Sequence, residues 1–152
     1  MTLKGVTMKH PLMTTLFLLG WAPMAFAHGG VEDPQVLARM EGMKRLGTEM
    51  KLLSTMAKGE RDFEAEKVRR AITRIEAEAG QIPVLFEPEA QDPKSEAHPS
   101  IWDEFHDFRG QAQALEEAAS SLSEPIESRQ ALGPALVKLG VTCKECHDEY
   151  RE

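Results

Sequence analysis

Four separate stretches of this 152-residue chain repeat apolar residues at three- and four-residue steps, and this periodicity constrains the fold more than any other feature. Such spacing places apolar side chains on one face of an α-helix. The four stripes are Val36, Met40, Met43, Gly47, Met50, Leu53 and Ala57; Ala65, Val68, Ile72, Ile75 and Ala79; Trp102, Phe105, Phe108, Ala112, Leu115, Ala119 and Leu122; and Leu132, Leu136, Leu139, Cys143, Cys146 and Tyr150. No convincing run of alternating β-branched residues accompanies them. The sequence therefore predicts an all-α fold.

Capping and helix-breaking residues set the expected ends of these helices. We expect helices over about 34–58, 62–79, 100–121 and 125–150. Asp33 suits the N-cap of the first helix and precedes a proline, and Gly80 suits the C-terminal cap of the second. In the fourth stretch, Gly133-Pro134 either delays the start of the helix or kinks it. A segment with four prolines, 81–99, makes a long crossover between the second and third helices, and the other connections are short. Four amphipathic helices joined in this way predict an antiparallel four-helix bundle.

The first 27 residues differ in character from the rest of the chain. A basic start precedes a mostly apolar run over 12–22, and the Ala-Phe-Ala at 25–27 fits the small-x-small pattern of a signal cleavage site. The apolar run is shorter than the roughly 20 residues that span a bilayer. We therefore predict a cleaved secretory signal over 1–27 and a mature domain over 28–152. In a bacterium the product would lie in the periplasm, without stable membrane insertion after cleavage.

Acidic residues outnumber basic residues, 25 to 18, which gives a formal net charge of -7. The predicted signal contains Lys4 and Lys9 and no acidic residue, so the mature chain carries -9. Because a nucleic-acid-binding protein needs a basic face for phosphates, we expect no nucleic-acid partner. Two cysteines only three residues apart also exclude a scaffold of several disulfides.

Those two cysteines belong to the run Cys143-Lys144-Glu145-Cys146-His147, which has the C-x-x-C-H spacing of a c-type haem attachment site. Residues three apart share one face of a helix, so both thiols could form thioethers with the two vinyl groups of one porphyrin. His147 would then present its imidazole to the iron. The position of both cysteines in the apolar stripe predicts that they face the interior of the bundle.

Three other interpretations of the cysteine pair are open from the residues alone. A thioredoxin-type redox pair usually lies at a strand-to-helix turn, whereas this pair ends a helical chain. A structural zinc site needs four ligands, and the chain has no second cysteine pair. The third interpretation is that the cysteines and histidine are incidental, which is unusual in an exported protein. The sequence favours one covalent haem c, attached through Cys143 and Cys146.

With this motif at its C-terminus, the predicted bundle resembles the cytochrome c′ family, the class II c-type cytochromes. The resemblance covers essentially the whole mature chain. Its strongest stretches are Lys138-Leu139-Gly140 through Arg151, Arg39 through Lys51, and Ile101-Trp102-Asp103-Glu104-Phe105. The resemblance implies a haem-binding bundle and a homodimer formed through the first two helices.

The same resemblance implies which residue lies on the far side of the iron. High-spin members of the family carry an apolar residue there, often Leu or Phe, four residues after a characteristic arginine. Here Arg39 matches the arginine and Met43 stands at the distal position. Low-spin, six-coordinate members such as cytochromes c-556 are similar in having Met there, which implies His147 and Met43 as the two iron ligands. Arg39 resembles the arginine that lies near a haem propionate, a charge-assisted pair.

From periodicity alone Met43 is a core residue, because methionine commonly fills cores and the first helix holds several. Met40 is the nearest substitute ligand on the same side of that helix. His106, at the edge of an apolar stripe, and His98, in the crossover, are expected at the surface. Arg151 lies one helical turn after His147, near its face of the haem.

These residues support three hypotheses of function. The first is an electron carrier, not an enzyme: a periplasmic monohaem cytochrome whose His147/Met43 haem exchanges single electrons with periplasmic redox proteins, steered by its acidic surface. The second is a five-coordinate cytochrome c′ that binds NO or CO. The third is a non-haem redox or metal-binding module that uses the two thiols.

Overall fold

The computed structural model describes residues 30–152, and the predicted signal segment, 1–27, lies outside the described residues. The described chain forms five α-helices: α1 Pro34–Ala57, α2 Ala65–Phe86, α3 Ser100–Asp103, α4 Phe105–Ser120 and α5 Arg129–Tyr150. The four long helices form a bundle in which α1 and α4 each pack against α2 and α5, and the short α3 contacts α4. The all-α fold and the four-helix bundle are therefore confirmed.

Helix α1 begins and ends where the sequence predicts. The Asp33 carboxylate accepts hydrogen bonds from the backbone N–H groups of Gln35 at 2.8 Å and Val36 at 3.0 Å. These bonds satisfy donors that the first turn leaves free, and a proline at the first helical position needs no partner. After Ala57 the chain turns through Gly59, whose φ of 77° is a left-handed conformation that glycine adopts without strain.

The predicted end of the second helix is wrong. Gly80 does not cap α2, which continues through Gly80 and Pro83 to Phe86. The reason is burial, because Ile82 and Phe86 extend the apolar stripe by two further steps and are both buried. Leu85 packs closely over Gly42 of α1: a Cβ atom added to Gly42 would lie only 2.8 Å from Leu85 Cδ1. Packing against α1 thus outweighs the two helix-breaking residues, and the crossover is shorter than predicted, over 87–99.

The third predicted helix is divided into two. Glu104, with φ −118° and ψ 34°, separates the single turn of α3 from α4. The turn is fixed from outside the helix, since the indole N–H of Trp102 donates a 2.8 Å hydrogen bond to the carbonyl of Phe86. This bond ties α3 to the end of α2, which explains why the chain does not continue as one straight helix.

Helix α5 begins later than its predicted start near residue 125. Ser128 caps it by accepting a 3.2 Å hydrogen bond from the N–H of Ala131, and Arg129 is the first helical residue. Pro134 lies inside the helix, in its second turn. The helix thus starts before Gly133-Pro134 and runs through it, so the prediction that this pair delays the start of the helix is wrong; the Ser128 cap sets the start instead.

The core lies between the four long helices. Its largest fully buried side chains include Leu53 and Met56 of α1, Ile75 of α2, Phe108 of α4 and Leu139 of α5. Within residues 30–152, no helix has both the length and the apolar character needed to cross a membrane.

Candidate functional site

A cavity of about 420 Å³ opens between the first half of α1, the end of α5 and part of the crossover. Apolar side chains form most of its wall, including Val36, Ile101 and the ring of Phe108. The full lining is Val36, Arg39, Met40, Met43, Gly47, Phe86, Lys94, Ser95, Glu96, Ala97, Ile101, Phe108, Cys146, His147, Tyr150 and Arg151. The cavity therefore brings residues of α1 together with residues of the crossover and of the end of α5, which are far apart in the sequence.

Four of the five residues that the sequence singles out line this cavity. Met43 and Arg39 enter from α1, and Cys146 and His147 enter from the last two turns of α5. Cys143 is not among the lining residues, but both cysteines are partly buried against the hydrophobic core, which confirms that they face the bundle interior. Met40 also lines the cavity and is 45% exposed, whereas Met43 is half-buried.

The two thiols lie in surroundings that keep them protonated. Burial raises the pKa of Cys143 and, more strongly, raises the pKa of Cys146 to about 11, where Cys143 and Glu149 add to the effect. A thioredoxin-type pair needs the opposite, a lowered pKa that makes one sulfur a thiolate at neutral pH. The electrostatics of this site therefore do not favour the thiol redox interpretation.

The imidazole of His147 is held toward its neutral form. Burial lowers the pKa of His147 first, and the nearby Arg151 guanidinium lowers it further, against opposing effects of Asp148 and Glu96. The neutral ring is the form that binds a metal ion through a nitrogen lone pair. His147 is thus suited to be a ligand facing the cavity.

Arg39 is buried, with 3% of its surface exposed, and makes contacts that the sequence did not predict. Its Nε donates to the carbonyl of Leu85 at 3.1 Å, its Nη1 donates to the carbonyl of Ala90 at 3.0 Å, and its Nη2 donates to the carbonyl of Pro88. The guanidinium carbon also lies 5.0 Å from the ring centroids of both Phe86 and Trp102. Burial lowers the pKa of Arg39, while Asp33 opposes that shift.

One buried polar atom in the cavity wall has no partner among the described residues. It is the hydroxyl of Tyr150, whose ring packs edge-on against Phe108 with 5.3 Å between centroids. A buried hydroxyl normally finds a hydrogen-bond acceptor or donor. The cavity thus combines an apolar wall, a largely neutral imidazole, inward-facing thiols and a buried hydroxyl without a partner. It also holds the cations Lys94 and Arg151, the second of them paired with Glu96. These features together fit an apolar group with a metal centre and acidic substituents.

The other two histidines among residues 30–152, His98 and His106, do not line this cavity. His106 has a fully exposed side chain, and His98 is exposed in the crossover, where its Nδ1 lies 2.8 Å from Ser100 Oγ. Both surface predictions are confirmed. In the part of the chain that the structure describes, no three His, Cys, Asp or Glu side chains converge as a metal-binding cluster.

Comparison with known proteins identifies the family. The family model of cytochrome c′ matches residues 34–151, which span all five helices. The chain belongs to the cytochrome c′ family. It therefore binds haem c, and the two cysteines near its C-terminus fit covalent attachment of that group.

Individual relatives agree with this assignment. Cytochrome c-556 of Agrobacterium fabrum (strain C58 / ATCC 33970) is 34% identical over 148 residues, which cover 95% of this chain and 97% of that protein. Cytochrome c′ of Pararhodospirillum photometricum is 33% identical over 117 residues, 75% of this chain and 93% of that one. The structural model of oxidised cytochrome c556 from Rhodopseudomonas palustris superimposes with a TM-score of 0.72 at 26% identity, covering 80% of this chain and 98% of that one.

The sequence missed the part of the cavity wall that the crossover provides. Residues 94–97 line the cavity, yet nothing in their composition distinguishes them from any solvated loop. Prolines marked the segment as irregular, and only the folded bundle brings it beside α5. The sequence does hold a signal for the buried Tyr150 hydroxyl. Tyr150 continues the apolar stripe that carries the cysteines, so its side chain is expected to be buried beside them.

Proposed function

We propose that this cytochrome c′ family protein is an electron carrier, not an enzyme, whose haem c is held between His147 and Met43. The supporting observation is that Met43 on α1 and His147 on α5 line one cavity. Haem c supplies one-electron redox chemistry when it is bound, and ligation by Met and His raises its reduction potential.

The residues that would hold the haem have distinct roles under this proposal. Cys143 and Cys146 anchor the group covalently at the end of α5, and His147 donates a neutral ring nitrogen as one ligand. Met43 would donate its thioether sulfur as the other ligand, and small diatomic ligands would then be excluded. The apolar walls exclude water, and Lys94 and Arg151 favour the acidic substituents of the group.

We further propose that residues 1–27 direct export to the periplasm and are then removed. The mature chain carries a net charge of -9, so its periplasmic redox partners would dock through basic patches. A homodimer through α1 and α2 is also part of this proposal, on the family resemblance alone.

The test is to replace each of two cavity methionines separately in the holoprotein. Met43→Ala should convert a low-spin optical spectrum to a high-spin one and should open the haem to CO. Met40→Ala is the matched control, because Met40 lines the same cavity from the same helix but should leave the low-spin spectrum unchanged.

Two outcomes would contradict the proposal. If Met43→Ala stays low-spin and Met40→Ala becomes high-spin, the ligand is Met40. If the unaltered protein is already high-spin and binds CO at once, the five-coordinate, gas-binding alternative replaces electron carriage through a six-coordinate haem.

A further inference from the structure

Three sets of contacts, here called fastenings, hold the crossover, residues 87–99, at its beginning, in its middle and at its end, although it contains no long helix. A loop of this length would ordinarily be among the less stable parts of a bundle. Here its fastenings reach α1 at one end and α5 at the other. These are the two helices that carry Met43 and His147.

The first fastening is Arg39 of α1. Its three hydrogen bonds to the carbonyls of Leu85, Pro88 and Ala90 hold the end of α2 and the beginning of the crossover against α1. The guanidinium lies between the rings of Phe86 and Trp102, where it is shielded from water. Three of its five N–H donors are thus used by backbone carbonyls.

The second fastening is Asp92, in the middle of the crossover. One oxygen of its carboxylate accepts from the backbone N–H of Glu32 at 2.9 Å and from that of Asp33 at 3.4 Å. Asp33 is itself the N-cap of α1, so the crossover is held directly against the start of that helix.

The third fastening joins the crossover to the end of α5. Ala97 and Arg151 form an antiparallel bridge in which the N–H of His98 donates to the carbonyl of Tyr150 at 2.9 Å. The N–H of Glu152 donates to the carbonyl of Glu96, also at 2.9 Å. The Arg151 side chain contacts the Glu96 carboxylate through Nε at 2.6 Å and through Nη2 at 2.5 Å.

We propose that the crossover fixes the distance between α1 and the end of α5 across the haem cavity, with Arg39 as the positioning residue at its first fastening. This inference rests on the proposed function, because the distance it fixes is the one that keeps Met43 opposite His147. Loosening the crossover would let α1 move away, and the position opposite His147 would open to external ligands.

Arg39 also matches the family arginine expected near a haem propionate, and a lysine substitution separates the two roles. Arg39→Lys keeps the positive charge that a propionate would need, but an ammonium cannot span three separated carbonyls as the guanidinium does. A role through charge alone would survive this change, whereas the positioning role would be lost.

The experiment uses holoprotein variants in two matched pairs. Arg39→Lys is compared with Arg45→Lys, which lies on the exposed side of α1 and pairs with Glu78. Glu96→Gln, a milder change that removes the charge partner of Arg151, is compared with Glu49→Gln, which removes the partner of Arg74 between α1 and α2. The measurements are amide hydrogen exchange of the crossover and the rate of CO association with the reduced protein.

We expect Arg39→Lys to accelerate both crossover exchange and CO association roughly tenfold, the equivalent of about one or two lost hydrogen bonds. Glu96→Gln should change both in the same direction, and the two control variants should match the unaltered protein. Unchanged CO association despite faster exchange would overturn the inference, and so would unchanged exchange in both test variants.

Failure of the proposed function would be visible separately, as a high-spin spectrum of the unaltered protein. When the unaltered protein is low-spin, the inference is decided by the ratio of CO association rates between Arg39→Lys and Arg45→Lys. A ratio near ten supports the inference, and a ratio near one contradicts it while leaving the proposed function intact. A high-spin spectrum of the unaltered protein contradicts both.

Discussion

At the scale of single residues, Arg39 contributes more to the structure than its position in the sequence suggests. It is a buried charge whose hydrogen bonds go to neutral carbonyls, so its partners would be left without donors if it were removed. Leaving buried polar groups unsatisfied costs far more than breaking an exposed ion pair. The stability of the fold and the shape of the cavity therefore depend on the same side chain.

We predict that Arg39→Leu lowers the free energy of unfolding by about 3 kcal/mol, since it removes three hydrogen bonds to part-buried carbonyls of α2 and the crossover. Urea unfolding of the holoprotein, followed by circular dichroism, measures this. Arg45→Leu, at an exposed position on the same helix, should change the unfolding midpoint little. Equal losses in the two variants would show that Arg39 has no special structural role.

At the scale of elements, the crossover carries a dependence on acid through Asp92. Hydrogen bonds from the backbone N–H groups of Glu32 and Lys94 lower the pKa of Asp92 below its ordinary value of 3.8. A carboxylate whose pKa is lowered in the folded state stabilises that state at neutral pH. This contribution is lost as the pH falls below 3.8 and through the folded-state pKa.

Asp92→Asn should therefore lower the urea midpoint at pH 7, and the difference from the unaltered protein should close as the pH falls below about 3.8. The measurement is a series of urea titrations from neutral to acid pH, with Asp62→Asn, at an exposed position before α2, as the control. A difference that stays constant at every pH would mean that the Asp92 charge does not hold the crossover.

How much the sequence predicts also differs between elements. Helix α1 was predicted within one residue, because Asp33 and Gly59 are strong local signals that packing does not override. The end of α2 was mispredicted, because burial of Ile82 and Phe86 outweighs the local effects of Gly80 and Pro83. Local rules fail where a distant helix supplies the stabilising contact.

The residues of the candidate site also differ in whether the sequence predicts them. Cys146 and His147 were found because their chemistry lies in a five-residue motif, and Met43 because of its spacing from Arg39 in a family that the sequence resembles. The crossover wall was not found, because its contacts join residues far apart in the chain, such as Glu96 and Arg151. No local pattern encodes such a contact.

At the scale of the whole molecule, the acidic surface should govern encounters with redox reagents. The proposed removal of residues 1–27 would leave a net charge of -9, and the reduced protein should then attract cations and repel anions over about a Debye length. Its oxidation by cationic tris(phenanthroline)cobalt(III) should slow as salt is added, and its oxidation by ferricyanide should accelerate. Stopped-flow kinetics against ionic strength measures both, and the reverse pair of slopes would place a basic patch at the site of electron transfer.

We propose above all that Met43 and His147 together hold the iron of one covalent haem c. The most direct test is the optical spectrum of the unaltered holoprotein in both redox states, before and after addition of CO. We predict a sharp low-spin α band when it is reduced, a weak charge-transfer band at the red end of the visible spectrum when it is oxidised, and no immediate response to CO. A broad high-spin spectrum that changes as soon as CO is added would contradict the claim.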